Sequence, residues 1–419
     1  MSLVPRLPKR AWQVLGASAF SAVGTGFVMP FTIVYLHEIR GLSLATAGLA
    51  MATMPVAALA SSFGSGPLID RFGPRRVLVS MLLVASLGSL ALIAVRHPWQ
   101  AFLAAALLGV GISSSWVGLQ PTLASLVSAS QRSDAFAVQF ALLNAGFGVG
   151  GLTGGLIVDL DRPRTFELLY AFDAASFLLF AALMGVLRDV GRPVPSARVG
   201  GGYRAVVRDR VFARVWTLNT LLVAVGQVQL DTAFPAYVVL FADQSPSVVG
   251  IAFAANTFTI VLLQFVVSRW LRGRRRTRGL VVQAAFWAAA WALVLAAGEL
   301  AFGDAAPVAF VGAAILLACG EMLHSPTIPA IVNDLAPDEL RGRYNAANAV
   351  SWQSARIVGA PAAGILLGAG LAAPLLIGMI GVCALAGVLA LELERRLPAA
   401  ANGIGALEAG GATRAGAPG

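Results

Sequence analysis

The chain has 419 residues, of which 58% are hydrophobic and 12% charged, and its mean hydropathy is +0.79. A soluble domain carries about 25% charged residues; half that share leaves too little polar surface to face water, and lipid is the solvent that fits. A formal net charge of +10 would suggest nucleic acid in a soluble protein, but here the arginines sit in short stretches between apolar runs, which reads as membrane topology and sets nucleic acid aside.

A helix that crosses the hydrocarbon needs about 20 apolar residues. Such runs lie at 12–37, 44–65, 76–96, 99–128, 135–159, 166–188, 212–241, 247–269, 279–299, 307–333, 342–369 and 371–393. The first is too long for the apolar part of a signal peptide and is not followed by a small-residue cleavage site. The longest polar interruption, rich in Arg, Gly and Pro, divides the spans six and six. The predicted organisation is a cytoplasmic N-terminus (1–11), a first six-helix bundle (12–188), a linker (189–211), a second bundle (212–393) and a disordered cytoplasmic tail (394–419). The expected fold is all-α: twelve transmembrane helices in two pseudo-symmetric bundles, monomeric in the bilayer.

Orientation follows from Lys and Arg. With both termini in the cytoplasm, 25 of the 30 basic residues face inward, and only Arg40, Arg96, Arg162 and Arg164 face outward. That asymmetry is the positive-inside pattern, and it supports the span count, because one missed crossing would invert every later loop.

The two halves echo each other. Arg132 to Gly150 spans the same distance as Arg341 to Gly359, and Pro30 matches Pro235 near the ends of the first and seventh spans. Gln120-Pro121-Thr122-Leu123 corresponds to Ser325-Pro326-Thr327-Ile328, and Gly73-Pro74-Arg75-Arg76 to Gly273-Arg274-Arg275-Arg276. Six-helix halves that both start inside are parallel repeats, related by an axis along the membrane normal.

Between the second and third spans stands Gly66-Pro67-Leu68-Ile69-Asp70-Arg71-Phe72-Gly73-Pro74-Arg75-Arg76. This stretch resembles the loop signature of the major facilitator superfamily, and with the twelve spans the resemblance covers residues 10–395. The resemblance implies that Gly66 and Gly73 shape a tight turn and that Asp70, Arg71 and Arg75 join a cytoplasmic charge cluster that latches the halves in one state of the transport cycle. The fifth span carries Gly146-Phe147-Gly148-Val149-Gly150-Gly151-Leu152-Thr153-Gly154-Gly155, similar to the motif of the family's drug:proton antiporters, with Gly151 where the motif has Pro. Gly146, Gly150, Gly154 and Gly155 would give that span a smooth face for close packing. Two features depart from the antiporter pattern: Ala106 stands where many members have an Arg before Gly109-Val110-Gly111, and the first span lacks a deeply placed acid.

Charged residues inside spans are costly and are functional candidates by default. They are Asp231, Glu321, Arg356 and Asp173. In the family, helices 1, 4, 7 and 10 line the cavity, so Asp231 and Glu321 sit on lining helices. At about 1.5 Å per residue, Glu321 lies about 18 Å and Arg356 about 21 Å from the cytoplasmic ends of their helices, heights that permit a pair. His324 follows Glu321 by three residues and can share a proton with it or cap a water-filled space. Asp231 has no cation evident nearby in sequence, and burial disfavours the charged form of an acid, which makes it the first candidate for proton carrier. Asp173 lies on the peripheral sixth span, where a structural hydrogen-bonding role is expected.

The remaining cavity candidates are mostly apolar or aromatic: Phe27, Phe31 and Tyr35 in the first span, Trp116 and Gln120 in the fourth, Asn144 in the fifth, and Gln227, Phe234 and Tyr237 in the seventh. So few directional polar groups suit an amphiphilic compound better than a sugar.

The only lysine is Lys9, so the chain has no P-loop of its own. Transport would then be driven by an ion gradient, with protons and a small molecule as the partners besides lipid. His37, His97 and His324 are dispersed, and Cys319 and Cys383 lie in apolar runs, so no metal, cofactor or disulfide is expected. The sequence is read as a bacterial cytoplasmic-membrane exporter rather than an enzyme; a nutrient symporter or uniporter is the alternative, and an integral membrane enzyme a remote one.

Overall fold

The computed structural model describes residues 7–128, 131–187, 204–299 and 303–404, apart from the side chains of Phe63, Ser65, Gly66, Pro67, Asp70, Trp116, Val117, Ser133 and Asp338. Twelve long helices follow in chain order: α1 (Lys9–Val28), α2 (Leu44–Phe72), α3 (Pro74–Ile93), α4 (Pro98–Leu126), α5 (Arg132–Ile157), α6 (Pro163–Val186), α7 (Arg210–Val225), α8 (Pro246–Leu271), α9 (Arg276–Glu299), α10 (Ala306–Leu335), α11 (Arg341–Gly368) and α12 (Ala372–Glu394). Among the described residues, eleven helical stretches are both long and apolar enough to cross a membrane. The exception is α11. Its 28 residues span a bilayer by length, but Arg341, Arg343, Asn345, Asn348, Gln353 and Arg356 lower its hydropathy.

The helices begin as their sequences dictate. Proline opens α3, α4 and α6, where its missing N–H costs nothing. Ser43 caps α2 by accepting from Thr46 N at 3.2 Å. Asp209 caps α7 by accepting from Val211 N and Phe212 N at 2.9 and 3.0 Å. Gln100 reaches back to the backbone N–H groups of Arg96 and His97 at the start of α4.

The repeat seen in sequence has a backbone counterpart. After α1 the chain passes through a tight 3-10 turn at Met29–Phe31, which contains Pro30, and ends in a π turn at Tyr35–Ile39. After α7 it passes through Ala233–Ala236, which contains Pro235, and ends in a π turn at Tyr237–Phe241. Gly73 and Gly273 both have left-handed backbone, with φ of 82° and 73°, which glycine adopts without steric cost.

Packing defines two compact units: Met1–Ala197 with Asp231–Phe258 and Ala360–Gly370, and Arg198–Leu230 with Thr259–Gly359 and Leu371–Gly419. In the first, α5 meets α1 at backbone contact. A Cβ added at Gly146 would lie 2.7 Å from Ala19 O, and one at Gly26 would lie 2.6 Å from Phe147 O. The start of α8 packs on the end of α5 the same way, through Gly155 and Gly250, and the start of α2 meets the end of α11 through Gly48 and Gly364.

In the second unit, the polar residues of α11 turn toward α7. Trp216 Nε1 donates to Ala347 O at 3.0 Å, Asn219 Nδ2 donates to Ser351 Oγ at 2.6 Å, and Tyr344 OH donates to Asp209 Oδ2 at 2.8 Å. These bonds explain how so polar a helix is accommodated. The segment after α12 differs from the predicted disordered tail. Residues 398–404 fold back on the start of α9: Asn402 Oδ1 accepts from Thr277 N at 3.0 Å, and Arg276 NH1 donates to Ala401 O at 2.9 Å. An asparagine that caps a helix start gives this Ala-rich stretch a fixed place that composition alone does not reveal.

Gly150→Ala would press its Cβ against Val23 O, whereas Gly16 has nothing within 4 Å of an added Cβ. Gly150→Ala is expected to destabilise the protein by about 1–3 kcal/mol and Gly16→Ala to leave it unchanged, as read by thermal unfolding in detergent.

Candidate functional site

The seventh crossing is interrupted twice. Gly226 ends α7 with ψ near −94°, a five-residue turn runs from Gln227 to Asp231, and Thr232, at φ −127° and ψ −72°, breaks it again. Broken helix frees backbone carbonyls, and inside a membrane each must be satisfied by protein. Gln229 Nε2 donates to Ala224 O at 2.9 Å and to Gly359 O at 3.1 Å. Trp291 Nε1 donates to Val225 O at 2.7 Å. The ring of Trp287 occupies the space a side chain at Gly226 or Gly320 would need, and its Nε1 donates to Leu317 O at 2.9 Å.

Asp231 closes the five-residue turn and is buried, as are Thr232, Phe234 and Tyr237 beyond it. Tyr237 stacks on Phe241 with ring centroids 6.1 Å apart. Gln227, at the start of the turn, has a buried Oε1 without a hydrogen-bond donor among the described residues. Glu321 on α10 and Arg356 on α11 are both partly buried and belong to the same compact unit.

His324 is 1% exposed. It points into packed helices: Gln283 Nε2 lies 3.0 Å from its Nδ1, and the rings of Trp287 and Trp352 lie 6.0 and 5.7 Å away. Its Nε2 has no hydrogen-bond partner among the described residues.

The aromatic candidates of the first span divide. Phe27 is partly buried and meets Phe172 edge-on at 4.8 Å. Phe31 is buried. Tyr35 belongs to a packed brace rather than an open wall: it is wholly buried, donates to Leu92 O at 3.0 Å, accepts from Arg40 Nε at 2.7 Å, and stacks against Phe166 and Tyr170. Arg40 completes the brace through Ile93 O at 2.6 Å and Glu167 Oε1 at 2.9 Å.

Gln120 is exposed, and its Nε2 lies 3.5 Å from Gln139 Oε1. Gln139, which sequence reasoning passed over, is buried, with its Nε2 unsatisfied among the described residues. Its place on the α5 face toward Gln120 could have been found from their shared polarity on adjacent spans. Asn144 Nδ2 donates to Phe140 O of its own helix at 2.8 Å. Trp116 falls on a side chain outside the described residues.

Gly66, Asp70 and Arg71 lie within the last turns of α2, so the expected tight turn at Gly66 is helix and the turn is made at Gly73; the side chain of Asp70 lies outside the described residues. Arg71 lies over the Phe72 ring, 5.2 Å from its centroid. Arg75 donates to Met184 O and Gly185 O at 2.6 and 2.7 Å, holding the end of α6. The second half repeats this device: Arg275 pairs with Glu394 at the end of α12, and Arg276 pairs with Asp334 of α10 at 2.6 Å. Among the described residues no group of three or more His, Cys, Asp or Glu could hold a metal ion.

Long apolar helices, a repeated six-helix plan and a twice-broken crossing that carries an acid define a multi-pass membrane transporter. The Major Facilitator Superfamily pattern matches residues 14–245 and 232–413, and the chain belongs to this family. It is 23% identical over 347 residues to the MFS-type transporter YdeE of Escherichia coli, covering 82% of this chain and 85% of YdeE. It is 26% identical over 377 residues to a Na(+), Li(+), K(+)/H(+) antiporter of Planococcus maritimus, covering 79% and 83% of the two chains. A shorter match, 23% over 250 residues, reaches the quinolone resistance protein NorA of Staphylococcus aureus, covering 58% and 62%. The crystal structure of a peptide transporter POT in complex with sulfate superposes with a TM-score of 0.76 at 16% identity, over 93% of this chain and 95% of that one; it shares the fold.

Gln229→Leu removes the donor to Ala224 O and Gly359 O. Leaving buried carbonyls unpaired costs about 1–3 kcal/mol, so this variant is expected to unfold at lower temperature in detergent, while Gln264→Leu, with one such bond at 3.3 Å, loses less.

Proposed function

We propose that this protein exports small amphiphilic molecules across the bacterial cytoplasmic membrane in exchange for protons, by alternating access, as a monomer with both termini in the cytoplasm. The observation that carries this reading is the interruption of the seventh crossing on both sides of the five residues that end in Asp231. Transporters place substrate and ion sites at discontinuous helices, and non-helical backbone at membrane depth is tolerated only inside protein or along a cavity.

Asp231 is the first candidate for the proton carrier. Glu321, with Arg356 on the next helix, is the second. His324, packed between Trp287 and Trp352, supports α10 behind Glu321. The mostly apolar neighbourhood of Asp231, with Phe234 and Tyr237 beyond it and Gln227 before it, suits an amphiphilic or cationic compound; Phe27, Phe31, Gln120 and Asn144 are the candidates from the first half. The glycine face of α5 favours export, in keeping with relatives named for quinolone resistance and for cation/proton antiport. Arg75, and Arg71 with Asp70, serve the cytoplasmic latch. A membrane potential supplies about 2.3 kcal/mol per charge per 100 mV, so one proton sustains a gradient of about fiftyfold at 100 mV.

Dye efflux in everted vesicles tests this reading. Asp231→Asn and Glu321→Gln are expected to slow proton-driven efflux by about tenfold or more, equivalent to about 1.4 kcal/mol, at normal protein levels. If both variants keep wild-type proton coupling, the carrier assignment fails. In everted vesicles an exporter carries dye into the lumen; if the wild-type protein instead carries dye out of the lumen, the direction fails.

A further inference from the structure

Asp173 lies at the centre of α6 and has no part in the mechanism above. It is 1% exposed. Its Oδ1 accepts from Thr25 Oγ1 of α1 at 3.2 Å, and its Oδ2 lies 2.5 Å from Ser89 Oγ of α3, a hydrogen bond that either oxygen can donate. These hydroxyls are its hydrogen-bond partners among the described residues, and neither is charged. Nearby, Ser86 of α3 donates to Ala174 O at 2.9 Å. The other titratable groups on this seam are engaged elsewhere: Tyr170 donates to Thr32 at 3.2 Å, and Glu167 pairs with Arg40 at 2.9 Å. From α1 the groups at Asp173 are Gly24 and Thr25, and from α3 they are Ser86 and Ser89; none of the four titrates.

An ionised carboxylate without a counter-ion is among the costliest groups to bury, whereas a neutral carboxyl is satisfied here when its Oδ2–H donates to Ser89 Oγ while Oδ1 accepts from Thr25 Oγ1. The fit is also close. A Cβ added at Gly24 would lie 2.6 Å from Ser176 Oγ and 3.0 Å from Asp173 Cα, so α1 seals the carboxyl from water by direct contact with α6.

We infer that Asp173 is a second proton-binding site, occupied while α1 rests against α6 and emptied when α1 moves away and water reaches the carboxyl. On emptying, the carboxyl O–H bond breaks, the proton passes to the entering water, and the carboxylate is then hydrated. Phe27, two residues beyond Thr25 on α1, meets Phe172 beside Asp173, so the same movement shifts a candidate cavity aromatic. The site stands whether or not the protein exports, because it rests on contacts among α1, α3 and α6 alone.

Infrared difference spectra of the full-length protein in lipid nanodiscs test it. Wild type against Asp173→Asn should show a protonated-carboxyl stretching band, and Ser89→Ala should shift that band. A difference made up of ionised-carboxylate bands would overturn the assignment. If Asp173→Asn does not fold, wild type against Ser89→Ala reads the same distinction. Gly24→Ala, which presses α1 off α6, should speed deuterium exchange of the band by about tenfold or more; unchanged exchange would break the link to α1.

Discussion

Within a bilayer, apolar side chains gain nothing by leaving lipid for one another, so helices hold together through close packing and through hydrogen bonds that lipid cannot offer. The contact between α1 and α5 shows the first of these. Gly26, Gly146 and Gly150 let the two backbones touch, and any side chain there would separate them. The consequence is a fixed register for α1, and α1 in turn carries Thr25 and Phe27. Exchanging one glycine of this seam therefore changes the position of polar groups a turn away as well as the stability of the bundle.

The broken seventh crossing shows the second. An interrupted helix would be ruinous in hydrocarbon if its carbonyls were left bare. Gln229 and Trp291 donate to two carbonyls at the interruption, Ala224 O and Val225 O, Gln229 also ties the segment to Gly359 O of α11, and Trp287 fills the volume left by Gly226 and Gly320. The interruption is thus a supported feature of the fold. Its support comes from α9 and α11, so changes on those helices, far from Asp231 in sequence, bear on the segment that holds the acid.

Much of this was legible in the sequence because lipid imposes so simple a rule. Length and hydropathy set the spans, arginine set the expected topology, and the glycines of α5 and the loop after α2 set the family. What was hidden depends on pairings between distant residues. Nothing local marks α11 as a helix whose Asn348 and Ser351 meet Asn219 of α7. Asn402 reads as part of a loose tail until Thr277 is seen beneath it. Tyr35 reads as a cavity aromatic until Leu92 O and Arg40 are found around its hydroxyl. Gly226 and Thr232 do not announce a break, since both residues occur within membrane helices. Hydropathy reports how much apolar surface a segment offers, but not which neighbour takes it.

The repeated halves agree in scaffold and part in chemistry. Both have a glycine at positive φ between their second and third helices, an arginine from that loop on the end of their sixth helix, and a π turn after their first. Such features hold helix ends in place in both halves. The acids follow no such symmetry. Asp231 follows α7, while the first span, from Lys9 onward, has no acid before Glu38; Asp173 lies in α6, while α12 has none before Glu392. A buried acid costs stability wherever it stands, so an acid on a single copy of the repeat confines that cost to one helix of each matching pair, whereas the glycine turns and arginine contacts carry no such cost and can stand in both.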